Sequence, residues 1–369
     1  MADLLKIKVD FVKYTLKFKF DAGTSRGVLK SKETYLIRVF FVDQPAVVGY
    51  GEAGPLPGLS MDDRPDFEER LAEFCQKITL LNIPDKEEGI LNMIQIHIPS
   101  AFPSIRFGME VAILDCLNGG EKKILNNPFY DLSRHIMING LIWMGDLDFM
   151  LHQIEQKLEM GFNCIKMKIG SIDFDQECEL LSFIRQRYSP EQISLRVDAN
   201  GAFSSSDALD KLYQLEKFGI HSIEQPIRAG QMETMAVLCK QSPIPIALDE
   251  ELIGNYNLDQ KNHLLETIQP QYIIIKPTLI GGIHSSREWI GLADKLGVGW
   301  WGTSALESNI GLNAIAQFFS SFEPKLPQGL GTGQLYHNNI NSPLSVQQGK
   351  LYYKRGQQWE DLGKIFTES

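Results

Sequence analysis

Cysteine is scarce in this 369-residue chain and never clustered. The five cysteines, Cys75, Cys116, Cys164, Cys178 and Cys239, include no CxxC pair, and their number is odd. No disulfide framework can be read from them. Several lie in apolar runs, such as Cys116 in Ala112-Ile113-Leu114-Asp115-Cys116, where buried reduced thiols are the simplest reading and a reducing compartment is implied. Histidine is equally thin: there are seven, none spaced as HxxxH, which argues against zinc. Positive charge is in deficit, with 36 Lys plus Arg against 46 Asp plus Glu and a formal charge of −10. Such a chain repels a phosphate backbone unless it carries a local basic patch. The nearest group, Arg26, Lys30 and Lys32, is too sparse for one, so no nucleic-acid partner is expected. Long apolar runs are also missing. No window approaches the roughly 18 residues of a membrane span, and Met1-Ala2-Asp3-Leu4-Leu5-Lys6 opens no signal-peptide pattern. No membrane partner is expected, and a cytoplasmic location is. A composition of 43% hydrophobic and 22% charged residues excludes collagen, low-complexity disorder and coiled coil.

Two glycine-bearing stretches fall short of known chemistry. Gly329-Leu330-Gly331-Thr332-Gly333 lacks the Lys and Ser/Thr that complete a P-loop and reads as a strand-to-loop turn. Gly302-Thr303-Ser304-Ala305-Leu306 carries leucine where a nucleophile elbow needs its last glycine.

What is present divides into two textures. Leu5–Phe11 and Tyr14–Phe20 alternate apolar and polar residues, and Tyr35–Val42 is a third apolar run, the pattern of antiparallel strands with one wet face. Residues 21–32 and the Gly/Pro-rich stretch 51–58 are expected as loops, and 63–81 and 104–118 as helices. After about residue 130, short apolar runs alternate with amphipathic helical segments at 146–160, 175–188, 206–218 and 231–240, which argues for parallel strands. The apolar runs end at Lys168, Asp198, Glu224, Asp249 and Lys276, spaced by 30, 26, 25 and 27 residues. That is one strand–helix unit each and suits a β/α barrel.

Those terminal residues carry the chemistry. Parallel barrel strands bring their C-terminal ends to one face, where active sites sit. Five consecutive strands would aim three carboxylates and two amines into one mouth, an arrangement that costs free energy unless the charges neutralise one another or a metal. Three carboxylates form a hard oxygen site suited to Mg²⁺ or Mn²⁺. Lys166 and Lys168 are two apart and share a strand face. A second ammonium should depress the Lys168 pKa and leave an amine able to act as a base.

On Lys166-Met167-Lys168, the Asp198, Glu224 and Asp249 set, and Lys276, the chain resembles the enolase superfamily, muconate-lactonizing-enzyme-like subgroup, over nearly its whole length. The resemblance implies an α/β protein with an N-terminal α+β capping domain, residues 1–128, and a modified TIM-type (β/α)7β barrel, residues 129–344, with residues 345–369 returning to the cap. It implies Asp198, Glu224 and Asp249 as metal ligands, Mg²⁺ as cofactor with Mn²⁺ as the other ion, and Lys168, Lys276 and Lys166 as catalytic residues. Within the subgroup, Ile275–Gly282, Ser304–Leu312, Pro103–Gly108 and Ile138–Ile142 resemble the o-succinylbenzoate synthases of menaquinone biosynthesis. That implies syn dehydration of a small carboxylate, 2-succinyl-6-hydroxy-2,4-cyclohexadiene-1-carboxylate. In this reading Lys168 is base and then acid, and Lys276 is the cation over the ring. Asn200 and Glu250 orient the ligands and lysines, Ser304 donates to the ring substituents, Arg26 reaches the succinyl carboxylate, and Leu56 and Phe20 exclude water. N-acylamino acid racemases and dipeptide epimerases are the sister activities. The Asp-x-Asp of the epimerases is absent from Trp301–Glu307. A non-catalytic carboxylate-binding barrel is the reading of a different class, and the intact lysines and carboxylates argue against it. A homo-oligomer is compatible with the sequence, which carries no signal for it.

Overall fold

The alternating N-terminal segment builds one long hairpin. The structure, a computed structural model, describes residues 5–24 and 27–367. Strand β1 (Ile7–Thr24) pairs antiparallel with β2 (Gly27–Phe41) from Ile7 opposite Phe41, with a register shift between Lys17 and Ala22, and β3 (Val48–Ala53) lies on the other edge of β2. The two alternating stretches are therefore one strand, and most of the expected loop at 21–32 is ladder. Backbone pairing needs no apolar alternation, so composition hides it. The hairpin's far end also leans on the second domain, where Gly23 bridges Met144.

Helices α1 (Phe67–Thr79), α2 (Glu87–His97) and α3 (Pro103–Leu117) cover this sheet. Every residue of α3 from Pro103 to Cys116 is buried, so apolar residues lie on all its sides, and its few polar ones, Ser104, Arg106, Glu110 and Asp115, are hydrogen-bonded where they are buried. It lies against the sheet so closely that a Cβ on Gly51 would sit 2.0 Å from the Gly108 carbonyl. Its other side faces the barrel.

The barrel strands are β5 (Gly140–Ile142), β6 (Cys164–Lys168), β7 (Ser194–Asp198), β8 (Ile220–Glu224), β9 (Ile246–Leu248), β10 (Tyr272–Ile275) and β11 (Gly299–Gly302), all parallel and paired in sequence order. Gln328 and Gly329 close the ring, bridging Ile138 on one side and Thr303 on the other. The (β/α)7β expectation is met, and the Gly329 stretch is part of the wall. Outward residues such as Ile165, Val197, Ile223 and Ile275 are fully buried under the helices. Beneath the mouth, Arg196 stacks 3.9 Å over the Trp301 ring and donates to the Pro327 carbonyl at 2.8 Å. Trp301 is thus interior packing.

The run Ile136–Ile142 breaks in two. Only its second half enters the barrel; the first, β4 (Ile136–Met137), pairs with a C-terminal hairpin of β12 (Leu344–Gln347) and β13 (Lys350–Tyr353). Beyond that hairpin, Trp359, Leu362 and Phe366 pack on Val12, Leu36 and Tyr50 of the capping sheet. No helix among the described residues is long and apolar enough to cross a membrane. All five cysteines are free thiols.

Candidate active site

Strand alternation turns Lys166 and Lys168 to the barrel interior, and the parallel register sets Lys168 beside Asp198 and Asp198 beside Glu224. Asp249 and Lys276 follow directly on β9 and β10. Lys168, Asp198, Glu224, Asp249 and Lys276 come to the same end of the barrel, held by lysine–carboxylate contacts. Lys166 Nζ donates to Asp198 Oδ2 at 3.0 Å and to Glu224 Oε2 at 2.7 Å. Lys168 Nζ donates to Asp198 Oδ2 at 3.3 Å and to Asn200 Oδ1 at 2.6 Å. Lys276 Nζ is hydrogen-bonded to Asp249 Oδ2. With β6 second and β10 sixth in a ring of eight, Lys168 and Lys276 face each other across the mouth.

Burial and charge separate the three amines. Burial penalises the charge on Lys166, but Asp198 and Glu224 outweigh it and raise its pKa. Lys168 moves the other way: burial first, then the Lys166 and Lys276 charges, overcome the pull of Asp198 and lower its pKa. The direction is the one expected from a neighbouring ammonium, with burial as the larger cause. Burial also opposes the charge of Lys276, which Asp249 and Glu250 restore, so its pKa rises. Asp198, though buried, is driven well below the carboxylate range by the three lysines. Burial pushes Glu224 up to about 7.

Two side chains in left-handed turns hold the strand ends. Asn200, at φ +44°, accepts from Lys168 and donates to Glu250 Oε1 at 3.0 Å, which joins both expected orienting residues to Lys168. Gln225, at φ +39°, accepts from the backbone N–H of Asp249 and Glu251, so it fixes the corner that carries Asp249. Gln225 went unread in the sequence; its place directly after Glu224 was the available signal. Arg26 lies outside the described residues.

A cavity of about 360 Å³ opens above Lys166, Lys168, Asp198 and Lys276. Phe20, Leu56 and Leu59 wall it from the cap, and Trp143, Ser304 and Leu306 from the barrel. Ser304 lines the cavity, but its hydroxyl donates to Glu307 Oε2 and accepts from Thr332. It is committed to the wall and is not a free donor for substrate. Glu307, missed in the sequence, is fully buried and also takes the Thr278 hydroxyl, two residues past Lys276.

Among the described residues, no three acidic, cysteine or histidine side chains converge on one point, because lysines hold the three carboxylates instead. The donor set still fits a hard divalent cation. It is all oxygen, it comes from adjacent strand ends, Asp198 is ionised, and Glu224 Oε1 is buried with no hydrogen-bond partner.

Residues 150–357 match the family model "Enolase C-terminal domain-like". An o-succinylbenzoate synthase of Desulfotalea psychrophila is 46% identical over 366 residues, 94% of this chain and 98% of that protein. The crystal structure of MenC from Desulfotalea psychrophila superposes with a TM-score of 0.84 at 42% identity, covering 94% of this chain and 99% of that one. The L-Ala-D/L-Glu epimerase of Bacillus subtilis is 24% identical over 304 residues, 81% of this chain and 80% of that protein.

Proposed function

The chain belongs to the enolase superfamily, and from that premise we propose that it converts 2-succinyl-6-hydroxy-2,4-cyclohexadiene-1-carboxylate to o-succinylbenzoate and water. The observation that carries this reading is the 46% identity to an o-succinylbenzoate synthase over nearly the whole of both chains. It is a hydro-lyase: a C–H bond and a C–O bond break, water leaves, and the ring becomes aromatic.

Lys168 is the base. Burial and the neighbouring ammonium groups lower its pKa, which favours the neutral amine that takes the proton next to the substrate carboxylate. The same amine, now an ammonium on the same face, hands that proton to the departing hydroxyl, which makes the elimination syn. Lys276 stays cationic across the mouth and faces the negative charge that spreads over the carboxylate and ring. Lys166, held charged by Asp198 and Glu224, keeps Lys168 from gaining a proton too readily. Asp198, Glu224 and Asp249 would hold Mg²⁺, with Mn²⁺ as the alternative ion. When bound, the ion supplies a Lewis acid for the substrate carboxylate. Asn200 and Glu250 keep Lys168 aimed. Phe20 and Leu56 exclude water from above. Ser304 shapes the wall beside the ring. The capping domain is taken as residues 1–128 and the barrel as 129–344. Five free thiols support a reducing, cytoplasmic setting.

The test is the ultraviolet absorbance change when the cyclohexadiene acid meets protein and Mg²⁺, beside Lys168→Ala. Turnover abolished by EDTA and by the substitution supports the assignment. Metal binding without turnover rejects it. Opposed Lys168 and Lys276 also suit two-base exchange of an α-proton, so deuterium incorporation into N-succinylamino acids would then identify a racemase.

A further inference from the structure

The cavity wall at Ala305-Leu306 stands in an unusual backbone. Leu306 has φ +65°, a left-handed conformation that branched L-residues avoid, and its side chain is buried along the cavity. Three hydrogen bonds hold it there. Its N–H donates to Ser304 Oγ at 3.1 Å. Its carbonyl accepts from Tyr336 OH at 2.7 Å and from Lys32 Nζ at 3.1 Å. Tyr336 is zipped to the capping sheet, where it bridges Phe18 and stacks on that ring at 4.7 Å between centroids. Lys32 lies on β2 and is 1% exposed. It does not line the cavity. Burial disfavours its charge, and Glu307, Glu52 and Asp62 restore part of it.

A buried lysine aimed at one backbone carbonyl is costly to keep, and nothing in the reaction uses its charge. We propose that Lys32 is a positioning residue: from the capping sheet it holds the Leu306 turn and, through that turn, sets the wall that selects the substrate. The proposal rests on the reading of this cavity as the substrate site. The turn continues into Glu307, which binds Thr278 beside Lys276, so the same contact joins cap, wall and one of the two opposed lysines.

The experiment removes the donor and keeps the stem, with Lys32→Met. Amide exchange of residues 303–308 should speed up relative to β6, and KM for the cyclohexadiene acid should rise about 10-fold, as for one lost hydrogen bond to a charged group, with kcat little changed. Leu306→Gly, which tolerates the left-handed turn but deletes the wall, should raise KM. Adding Lys32→Met to it should then change KM little further. If Lys32→Met does not fold, Tyr336→Phe, which removes the other donor to the same carbonyl, should move exchange and KM in the same direction. Unchanged protection at 303–308, or a lower melting temperature with wild-type KM, overturns the proposal. So do additive KM effects in the double variant. A wild-type protein that leaves the cyclohexadiene acid untouched defeats the reaction assignment, and the exchange measurement still decides the role of Lys32.

Discussion

Replacing Lys166 by methionine tests what neutralises the carboxylates. The side chain is 6% exposed and bridges Asp198 and Glu224, which are 1% and 0% exposed. Methionine keeps the stem volume and deletes both ion pairs. Removing one partner of a buried pair costs about 3–5 kcal/mol, because the remaining charge is left uncompensated. At about 2.1 cal/mol/K per residue over 369 residues, that is about 4–6 °C in melting temperature. Without divalent ion the variant should lose this full amount. Saturating Mg²⁺ should narrow the gap, because the ion takes over the compensation that Lys166 gives Asp198 and Glu224 and so stabilises the variant more than the wild type. Thermal denaturation of both proteins in EDTA and in Mg²⁺ measures it. An unchanged melting temperature in EDTA would show that Lys166 is not the compensating charge. An equal gap with and without Mg²⁺ would show that the three carboxylates are not the ion's ligands.

The chemistry was legible because a barrel displays it periodically. A strand buried on its outer face ends in an ionisable residue at the barrel mouth, so Lys168, Asp198, Glu224, Asp249 and Lys276 stand out at the ends of largely apolar runs. Register does the rest, since parallel pairing places equal strand ends side by side. The supports of the site carry no such mark. Lys32 reaches Leu306 across 274 residues, Glu52 reaches Ser308 across 256, and Glu110 reaches Ile283 across 173. Each is an ordinary polar residue in its own segment, and only the docking of cap on barrel gives it a partner. Arg196 finds its partner within the barrel, where its buried guanidinium meets Trp301 from a distant strand. The Asp21–Lys32 stretch failed for a different reason: a ladder satisfies backbone groups whatever the side chains, so polar composition does not exclude strand. Ser304 lines the cavity, and its bond to Glu307 could not be read because Glu307 carries no mark of the site in its own segment.

Lys168→Ala should lower kcat about 100- to 10,000-fold, the usual worth of a positioned acid–base group, while the protein still binds o-succinylbenzoate; single-turnover absorbance and product binding measure the two. Chelation of divalent ions should stop turnover, and Mg²⁺ or Mn²⁺ should each restore it. Full activity after exhaustive EDTA treatment would rule out the ligand roles of Asp198, Glu224 and Asp249. Glu110→Gln addresses the docking of cap on barrel. Glu110 is fully buried on α3, faces Arg106, and accepts from the Ile283 N–H at the start of the helix Gly282–Leu296. Burial raises its pKa from 4.5 to about 8, against the pull of the Ile283 and His284 amides and Arg106. A folded pKa above the unfolded one means that the fold favours the protonated acid. Its contribution is complete below about pH 4.5 and is lost as pH rises toward 8. Asp62 and Asp115, each raised to about 6, and Glu224, raised to about 7, lose theirs at lower pH, so the interval from 7 to 8 belongs mainly to Glu110. Wild-type melting temperature should fall across that interval by an amount worth on the order of 1.4 kcal/mol per pH unit. Glutamine keeps the shape and cannot ionise, so Glu110→Gln should flatten the decline and be the more stable protein at pH 8.5. Parallel melting curves for the two proteins from pH 6 to 8.5 would show that Glu110 ionisation does not govern the cap–barrel contact.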